Sequence, residues 1–130
     1  MAFYRWLRHL LPAGLLAWAT LSMATPSAQE HALIQTLIQR VEQMSTMTFL
    51  RNGGAHTAAE AAQHMQAKYA HFKHKIFTAE DFIELCASRS EMTGKPYMVK
   101  VGDAAPVEAN TFLKKELRAR RLVSAAPADT

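Results

Sequence analysis

The sequence predicts a small α+β protein in which about four helices pack around a small two-stranded antiparallel sheet, in the order α-β-α-α-β-α, behind a signal peptide. Several segments repeat apolar residues at three- and four-residue steps, which is typical of amphipathic helices. Two shorter segments have the residue pattern of strands. These segments follow a basic N-terminal stretch, an apolar run and a short stretch of small residues, and this order is typical of a secretory signal peptide.

The leader occupies residues 1–28 and predicts export by the general secretory route. Two arginines make its start basic, an apolar run extends from Leu10 to Ala24, and small residues with a proline follow. The apolar run is shorter than the roughly 20 residues of a membrane-spanning helix, so we expect no stable membrane insertion after cleavage. Small residues at two points leave cleavage after Ala24 and cleavage after Ala28 both open.

The composition allows one domain and excludes a fold held together by internal disulfides. The chain has 130 residues, and we place a single α+β domain at residues 29–122 and a flexible tail at residues 123–130. A single cysteine excludes an internal disulfide framework. Loss of the two leader arginines leaves 13 basic residues against 11 acidic ones, so the net charge falls from +4 to +2. Nucleic acid is therefore not an expected partner.

The first helix and the first strand follow the leader. An amphipathic pattern from Gln29 to about Ser45 predicts a helix. Residues 46–51 alternate hydroxyl-bearing and apolar side chains, which predicts a strand. Asn52-Gly53-Gly54 ends this strand, because these residues tolerate positive φ.

The second helix begins at a predicted capping box. Thr57 is followed three residues later by Glu60, so the hydroxyl is expected to accept from free backbone amides while the carboxylate bonds back to the cap. Apolar residues then line one face of the helix as far as Ile76.

The third helix begins at a second box, in which Asp81 follows Thr78 by three residues. This helix is shorter and ends near residues 88–90. Cys86 follows Phe82 by four residues, so we expect it on the buried face, where a thiol behaves as a small apolar group.

The second strand and the last helix complete the domain. Residues 97–101 are predicted to form the strand, and Gly102 with Asp103 ends it. After a loop, an apolar pattern from about Ala109 to Leu122 predicts the final helix.

Four segments, in this order and spacing, resemble a family of small exported bacterial proteins known as domain of unknown function 5329. They are residues 49–53, residues 61–69, residues 78–83 and residues 94–97. The resemblance covers roughly residues 33–121. It implies an exported protein of this size and supplies no activity.

The resemblance also implies that the two strands pair. Members of that family often carry one cysteine shortly before the Phe-x-Arg-Asn-Gly segment and another just after the second strand. Met47 and Val101 stand at these places here, so an apolar contact is expected where a disulfide would be permitted by export. Cys86 is then left as an unpaired thiol.

The turn between the first strand and the second helix is a candidate anion site. A glycine-bearing loop that leads into a helix exposes backbone amides, and nearby basic side chains add positive charge. If the strands pair, the loop before the second strand flanks this turn. The alternative is a tight turn followed by an ordinary helix cap, and the spacing matches no known phosphate-binding loop. The candidate residues are Arg51, Asn52, His56, Thr57, Lys95 and Tyr97.

Histidines of the second helix form a candidate metal site. His71 and His74 are one turn apart, whereas His64 lies about 10 Å away along the helix axis, too far to share one ion with them. The alternative is a solvated helix face, since the helix itself offers these two histidines no carboxylate or thiolate partner, although Cys86 or Glu84 could approach in the fold.

These patterns favour an exported protein, periplasmic in a Gram-negative cell, that acts as a non-catalytic binding or interaction module without a cofactor. Its partner would be a protein or a small anionic ligand of the cell envelope. The alternative is a periplasmic enzyme or metal-handling protein that uses histidine side chains together with Arg51. The candidate histidines are His56, His64, His71 and His74. Convergence of two or more histidines in one pocket would favour this alternative.

Overall fold

A computed structural model describes residues 25–125 of the chain. Most of the predicted leader and the last five residues of the predicted tail lie outside the described residues. Within this range the elements are α1 (Ala28–Glu42), β1 (Met47–Arg51), β2 (Gly54–His56), α2 (Ala58–Phe72), α3 (Ala79–Cys86), β3 (Met98–Val101), β4 (Val107–Glu108) and α4 (Ala109–Ala125). The α+β class and the four predicted helices are thereby confirmed.

The prediction of a two-stranded sheet was wrong, because the sheet formed by residues 25–125 has four strands in the order β2-β1-β3-β4. Asn52 and Gly53 adopt φ values of 50° and 80°. Positive φ at both central positions is the requirement of a type I′ turn, the two-residue turn that joins paired strands. The chain therefore folds back onto β1, with Arg51 opposite Gly54, instead of leaving the sheet. The fourth strand pairs with β3 after a turn at Gly102, where φ is 54°.

The expected pairing of the two predicted strands is confirmed. β1 and β3 are antiparallel, and Met47 stands opposite Val101 in their register. Burial alternates along β1 and the first three residues of β3: Met47, Phe49 and Val99 are buried, whereas the residues between them are partly exposed. Val101, at the end of β3, is exposed. One face of the sheet is therefore covered by the helices.

The observed starts of the helices agree with the sequence predictions more closely than their observed ends do. Ser27 caps α1, and the complete capping box of Thr78 and Asp81 opens α3. Thr57 accepts the amide of Glu60 as predicted, but the Glu60 carboxylate bonds the His56 ring instead of the cap backbone. The helices α1 and α2 end several residues before their predicted limits, and α4 continues to Ala125, into the predicted tail.

The core lies between the covered sheet face and the helices. Its largest fully buried side chains come from all four helices, the segment before α3, and β3: Tyr69, Phe82, Ile34, Leu37, Ile76, Ile83, Leu113, Leu117, Val41, Val99 and Cys86. The predicted burial of Cys86 is confirmed. Among residues 25–125, no helix is both long and apolar enough to cross a membrane.

Arg121 joins the C-terminal part of α4 to two other helices. It donates to both carboxylate oxygens of Glu30 at 2.5 and 3.1 Å, and to Glu80 of α3. Glu30 also accepts the backbone N–H of Ala79 at 3.1 Å. Hydrogen bonds from Arg121 lower the pKa of Glu30 and hold it ionised.

Candidate ligand-binding site

A cavity of about 200 Å³ lies where the end of β1 meets α2 and the loops beside α3 and α4. Its apolar wall consists mainly of small side chains, which leave this space unfilled between the larger core residues. The wall includes Phe49, Ala61, Met65, Cys86, Ala87 and Ala109, all of which are buried. An engineered apolar cavity of about 150 Å³ binds benzene, so this volume suits a small molecule.

Arg51, His64 and Tyr97 form a hydrogen-bonded row along one side of the cavity. Arg51 lies at the end of β1 and Tyr97 just before β3, and the antiparallel register brings both to the same face of the sheet. His64 projects from α2 between them. Its Nδ1 lies 2.6 Å from Arg51 Nη1, and its Nε2 lies 3.3 Å from the Tyr97 hydroxyl.

The hydrogen-bond partners assign the tautomer of His64. A guanidinium has only donors, so His64 Nδ1 accepts from Arg51 and Nε2 carries the ring proton. Nε2 then donates to the Tyr97 hydroxyl. Lys68 Nζ donates to the same hydroxyl over 3.4 Å, so the Tyr97 oxygen accepts twice and its own O–H remains as a donor.

The electrostatic environment of this row is positive. Burial, followed by the charges of Arg51, Lys68 and His56, lowers the pKa of His64 below its usual 6.5. The ring is therefore neutral at pH 7, and the positive charge is concentrated on the guanidinium and the ammonium. Within the part of the chain that is described, neither Arg51 nor Lys68 has a carboxylate within 4.0 Å.

His56 and Glu60 form the solvent-facing rim of the cavity. His56 Nδ1 lies 3.2 Å from Glu60 Oε2, and the Glu60 side chain is 57% exposed. A contact at this exposure is screened by water and contributes little to stability. The Glu60 charge offsets part of the positive potential at the rim, but its carboxylate is not within 4.0 Å of Arg51 or Lys68.

The structure brings three of the six predicted anion-site residues to the cavity: Arg51, His56 and Tyr97. Asn52 instead fixes the loop before β3, since it donates to Ser90 Oγ at 3.2 Å and accepts from Thr93 Oγ1 at 2.7 Å.

The other two predicted anion-site residues are also outside the cavity wall. Thr57 caps α2. Lys95 is exposed on the loop before β3, and its carbonyl accepts the Ser90 amide. The predicted cluster is therefore divided between the cavity and the loops beside it.

The two histidines of the predicted metal site are not on one helix. α2 ends at Phe72, so His71 lies in its last turn and His74 beyond it, and both are exposed. Over residues 25–125, no group of three or more His, Cys, Asp and Glu side chains is placed to hold a metal ion.

Cys86 lines the cavity but is not an activated thiol. It is fully buried, and burial raises its pKa to about 12. The thiolate, which is the nucleophilic form, is therefore scarce at neutral pH.

His64 and Lys68 both contact Tyr97, although neither was among the predicted anion-site residues. The available signal is the four-residue spacing of Glu60, His64 and Lys68, which places all three on one side of α2. That spacing alone does not show which part of the sheet this side meets.

Comparison with known proteins shows the family. A family model described as "Family of unknown function (DUF5329)" matches residues 28–121. The chain is also 41% identical, over 81 residues, to the "Uncharacterized protein YfeK" of Salmonella typhimurium. This alignment covers 62% of the present chain and 63% of the length of that relative. No solved structure matches the chain.

The chain therefore belongs to this family of unknown function, as the resemblance of its four segments predicted.

Proposed function

We propose that this protein is an exported, non-catalytic binding module that holds a small anion in the cavity beside Arg51. The observation that carries the proposal is the half-buried Arg51 guanidinium at the cavity, which among residues 25–125 has no carboxylate within 4.0 Å. A buried or half-buried charge is costly without a partner. A bound anion would supply that partner and would form charge-assisted hydrogen bonds with Arg51.

The groups around Arg51 are suited to binding more than to catalysis. Both ring nitrogens of His64 are occupied by protein partners, so this histidine orients Arg51 and Tyr97 and has no free nitrogen for a ligand. The buried Cys86 thiol is a poor nucleophile because its pKa is raised to about 12. Lys68 adds a second cation and fixes the Tyr97 hydroxyl, whose proton remains to donate to an anion.

The test is a thermal-shift and calorimetric titration of the purified protein with acetate, benzoate, hexanoate and inorganic phosphate at constant ionic strength. We expect at least one anion to raise the melting temperature. Arg51→Gln should lower the affinity for that anion about 10- to 100-fold, because a hydrogen bond to a charged group contributes about 1.5–3 kcal/mol.

The matched control is Arg118→Gln, which removes an exposed arginine from α4. This variant should bind the anion as tightly as the unmodified protein does. The proposal is wrong if none of the four anions binds, or if Arg51→Gln binds them as tightly as Arg118→Gln.

A second candidate function is acid–base catalysis on the same ligand. Two of the histidines named from the sequence, His56 and His64, converge on the cavity with Arg51, and this is the arrangement expected to favour the enzyme alternative. The Glu60 carboxylate orients His56, as a carboxylate orients a catalytic histidine in many enzymes. Conversion of a small-carboxylate mixture, followed by proton NMR and abolished by His56→Gln while anion binding persists, would favour this candidate.

Export remains part of the proposal, and the first helix supports one of the two cleavage points. Ser27 Oγ accepts the amide of Glu30 at 3.1 Å and caps α1. Cleavage after Ala24 keeps this cap, whereas cleavage after Ala28 removes it at a cost of about 1 kcal/mol. The intact mass of the protein recovered from the periplasm of expressing cells tests this choice. A mature chain that begins at Gln29, or a chain retained whole in the cytoplasm, would contradict it.

A further inference from the structure

We infer that the ligand is a free small monocarboxylate with a compact apolar tail, its carboxylate on Arg51 and Tyr97 and its tail in the cavity. This inference rests on the proposed function and names the class of anion. It follows from three features of the site: the charge of the polar row, the geometry of its donors and the apolar wall behind them.

The charge of the site fits a monovalent anion. Arg51 of this row and Lys68, which donates to the Tyr97 hydroxyl, are cations, His64 is neutral, and Glu60 contributes one negative charge at the rim. Among these four side chains a single positive charge is therefore in excess. A dianion such as phosphate would exceed it and would also be repelled by Glu60.

The donors of the site fit a carboxylate. Arg51 donates one of its N–H groups to His64, so the other N–H groups of the planar guanidinium remain for a ligand. Two parallel N–H groups match the two oxygens of a carboxylate. The Tyr97 hydroxyl offers one more donor because its oxygen already accepts from His64 and Lys68. The backbone amide of Ala109 donates to the carbonyl of Tyr97 at 2.8 Å and fixes this residue in place.

The wall of the cavity fits an apolar tail. Ala61, Met65 and Ala87 are each at most 8% exposed and offer no polar side-chain atom. An anion without an apolar tail would leave the apolar wall of the cavity with nothing to pack against. A phenyl ring or a short alkyl chain would fill much of the volume of about 200 Å³.

The experiment is a calorimetric series on the purified protein with acetate, butanoate, hexanoate, octanoate and benzoate. Burial of one methylene contributes about 0.8 kcal/mol, which corresponds to about fourfold in affinity. We expect affinity to rise by up to about fourfold per methylene and then level off when the tail exceeds the cavity. Benzoate should bind at least about tenfold more tightly than acetate, and hexanamide, the neutral counterpart of hexanoate, should bind at least about tenfold more weakly than hexanoate.

A cavity-filling variant gives the matched comparison. Ala61→Leu, which places a larger side chain in the cavity, should abolish the preference of hexanoate over acetate while acetate still binds. Ala70→Leu, on the exposed side of the same helix, should retain the preference. If Ala61→Leu does not fold, the calorimetric series on the unmodified protein still tests whether affinity rises with the length of the apolar tail. Binding of benzoate should also shift the NMR signals of the Met65 and Ala87 methyl groups through the ring current.

The outcomes separate this inference from the proposed function. Equal binding of acetate, phosphate and hexanoate that depends on Arg51 overturns the inference and leaves the anion site standing. No binding of any anion overturns both. N-acetylleucine mimics the C-terminus of a polypeptide, and its extra amide has no partner on the apolar wall, so it should bind more weakly than hexanoate. Tighter binding of N-acetylleucine would overturn the assignment to a free acid.

Discussion

Met47 and Val101 stand directly opposite each other where β1 and β3 pair. The next opposed pair, Thr46 and Gly102, is joined by a hydrogen bond from the Gly102 amide to the Thr46 carbonyl at 3.3 Å. Opposed residues in an antiparallel ladder alternate between hydrogen-bonded and non-hydrogen-bonded pairs. Met47 and Val101 therefore form a non-hydrogen-bonded pair, in which the Cα atoms approach to about 4.5 Å.

The double variant Met47→Cys with Val101→Cys should form a disulfide on air oxidation. The Cα separation of such a pair falls within the range that disulfides span, about 4.4–6.8 Å. The bond would close a long loop, so the chain-entropy model gives a stabilisation of up to about 4 kcal/mol. Thiol titration and urea unfolding, with and without reductant, measure the bond and its effect.

The matched control for this disulfide is Thr48→Cys with Lys100→Cys, the neighbouring opposed pair. It belongs to the hydrogen-bonded class, whose wider spacing is less favourable, so it should oxidise more slowly. Free thiols that persist in the first variant under oxidation would contradict the register.

Stability should fall between pH 7 and pH 5, and His64 should account for part of that fall. The folded state lowers the pKa of His64, so the unfolded chain takes up the proton first and unfolding becomes more favourable below pH 6.5. The lowered pKa values of Glu30 and Glu84 act in the same direction, but below their usual 4.5.

His64→Gln should therefore flatten the dependence of the free energy of unfolding on pH in this window. Urea denaturation at pH 7, 6 and 5 measures it, with His71→Gln as the exposed control. An unchanged slope in His64→Gln would show that this ring does not change its protonation on folding.

Cys86 should be nearly unreactive in the folded protein. Its side chain is fully buried, and burial raises its pKa to about 12, so both access and thiolate formation are suppressed. The reaction with a disulfide reagent at pH 8 should be slow in buffer and fast in denaturing urea. Rapid labelling of the folded protein would mean that the cavity wall opens on that timescale.

Arg121→Gln should destabilise the protein by about 1–2 kcal/mol, more than an isolated surface pair contributes. The change leaves Glu30, whose side chain is only 16% exposed, without its bidentate partner. Arg118→Gln on the same helix is the control and should lie within about 0.5 kcal/mol of the unmodified protein. Equal stability of the two variants at low salt would show that the network contributes nothing.

Local sequence signals predicted the helices well because each signal acts within a few residues. Thr78 and Asp81 form a capping box across three residues, and the four-residue step from Phe82 to Cys86 places the thiol on the buried face. The two extra strands were missed because a strand of two or three residues has too few side chains to show a period.

The sequence by itself determined the class of the fold, the capping box of α3, the burial of Cys86 and, through the family resemblance, the pairing of Met47 with Val101. Only the tertiary structure decided the site. Arg51, His64 and Tyr97 come from three separate segments, and the register of β1 with β3 sets their distances. The cavity beside them is a space between elements, left by small side chains that meet only when the chain has folded.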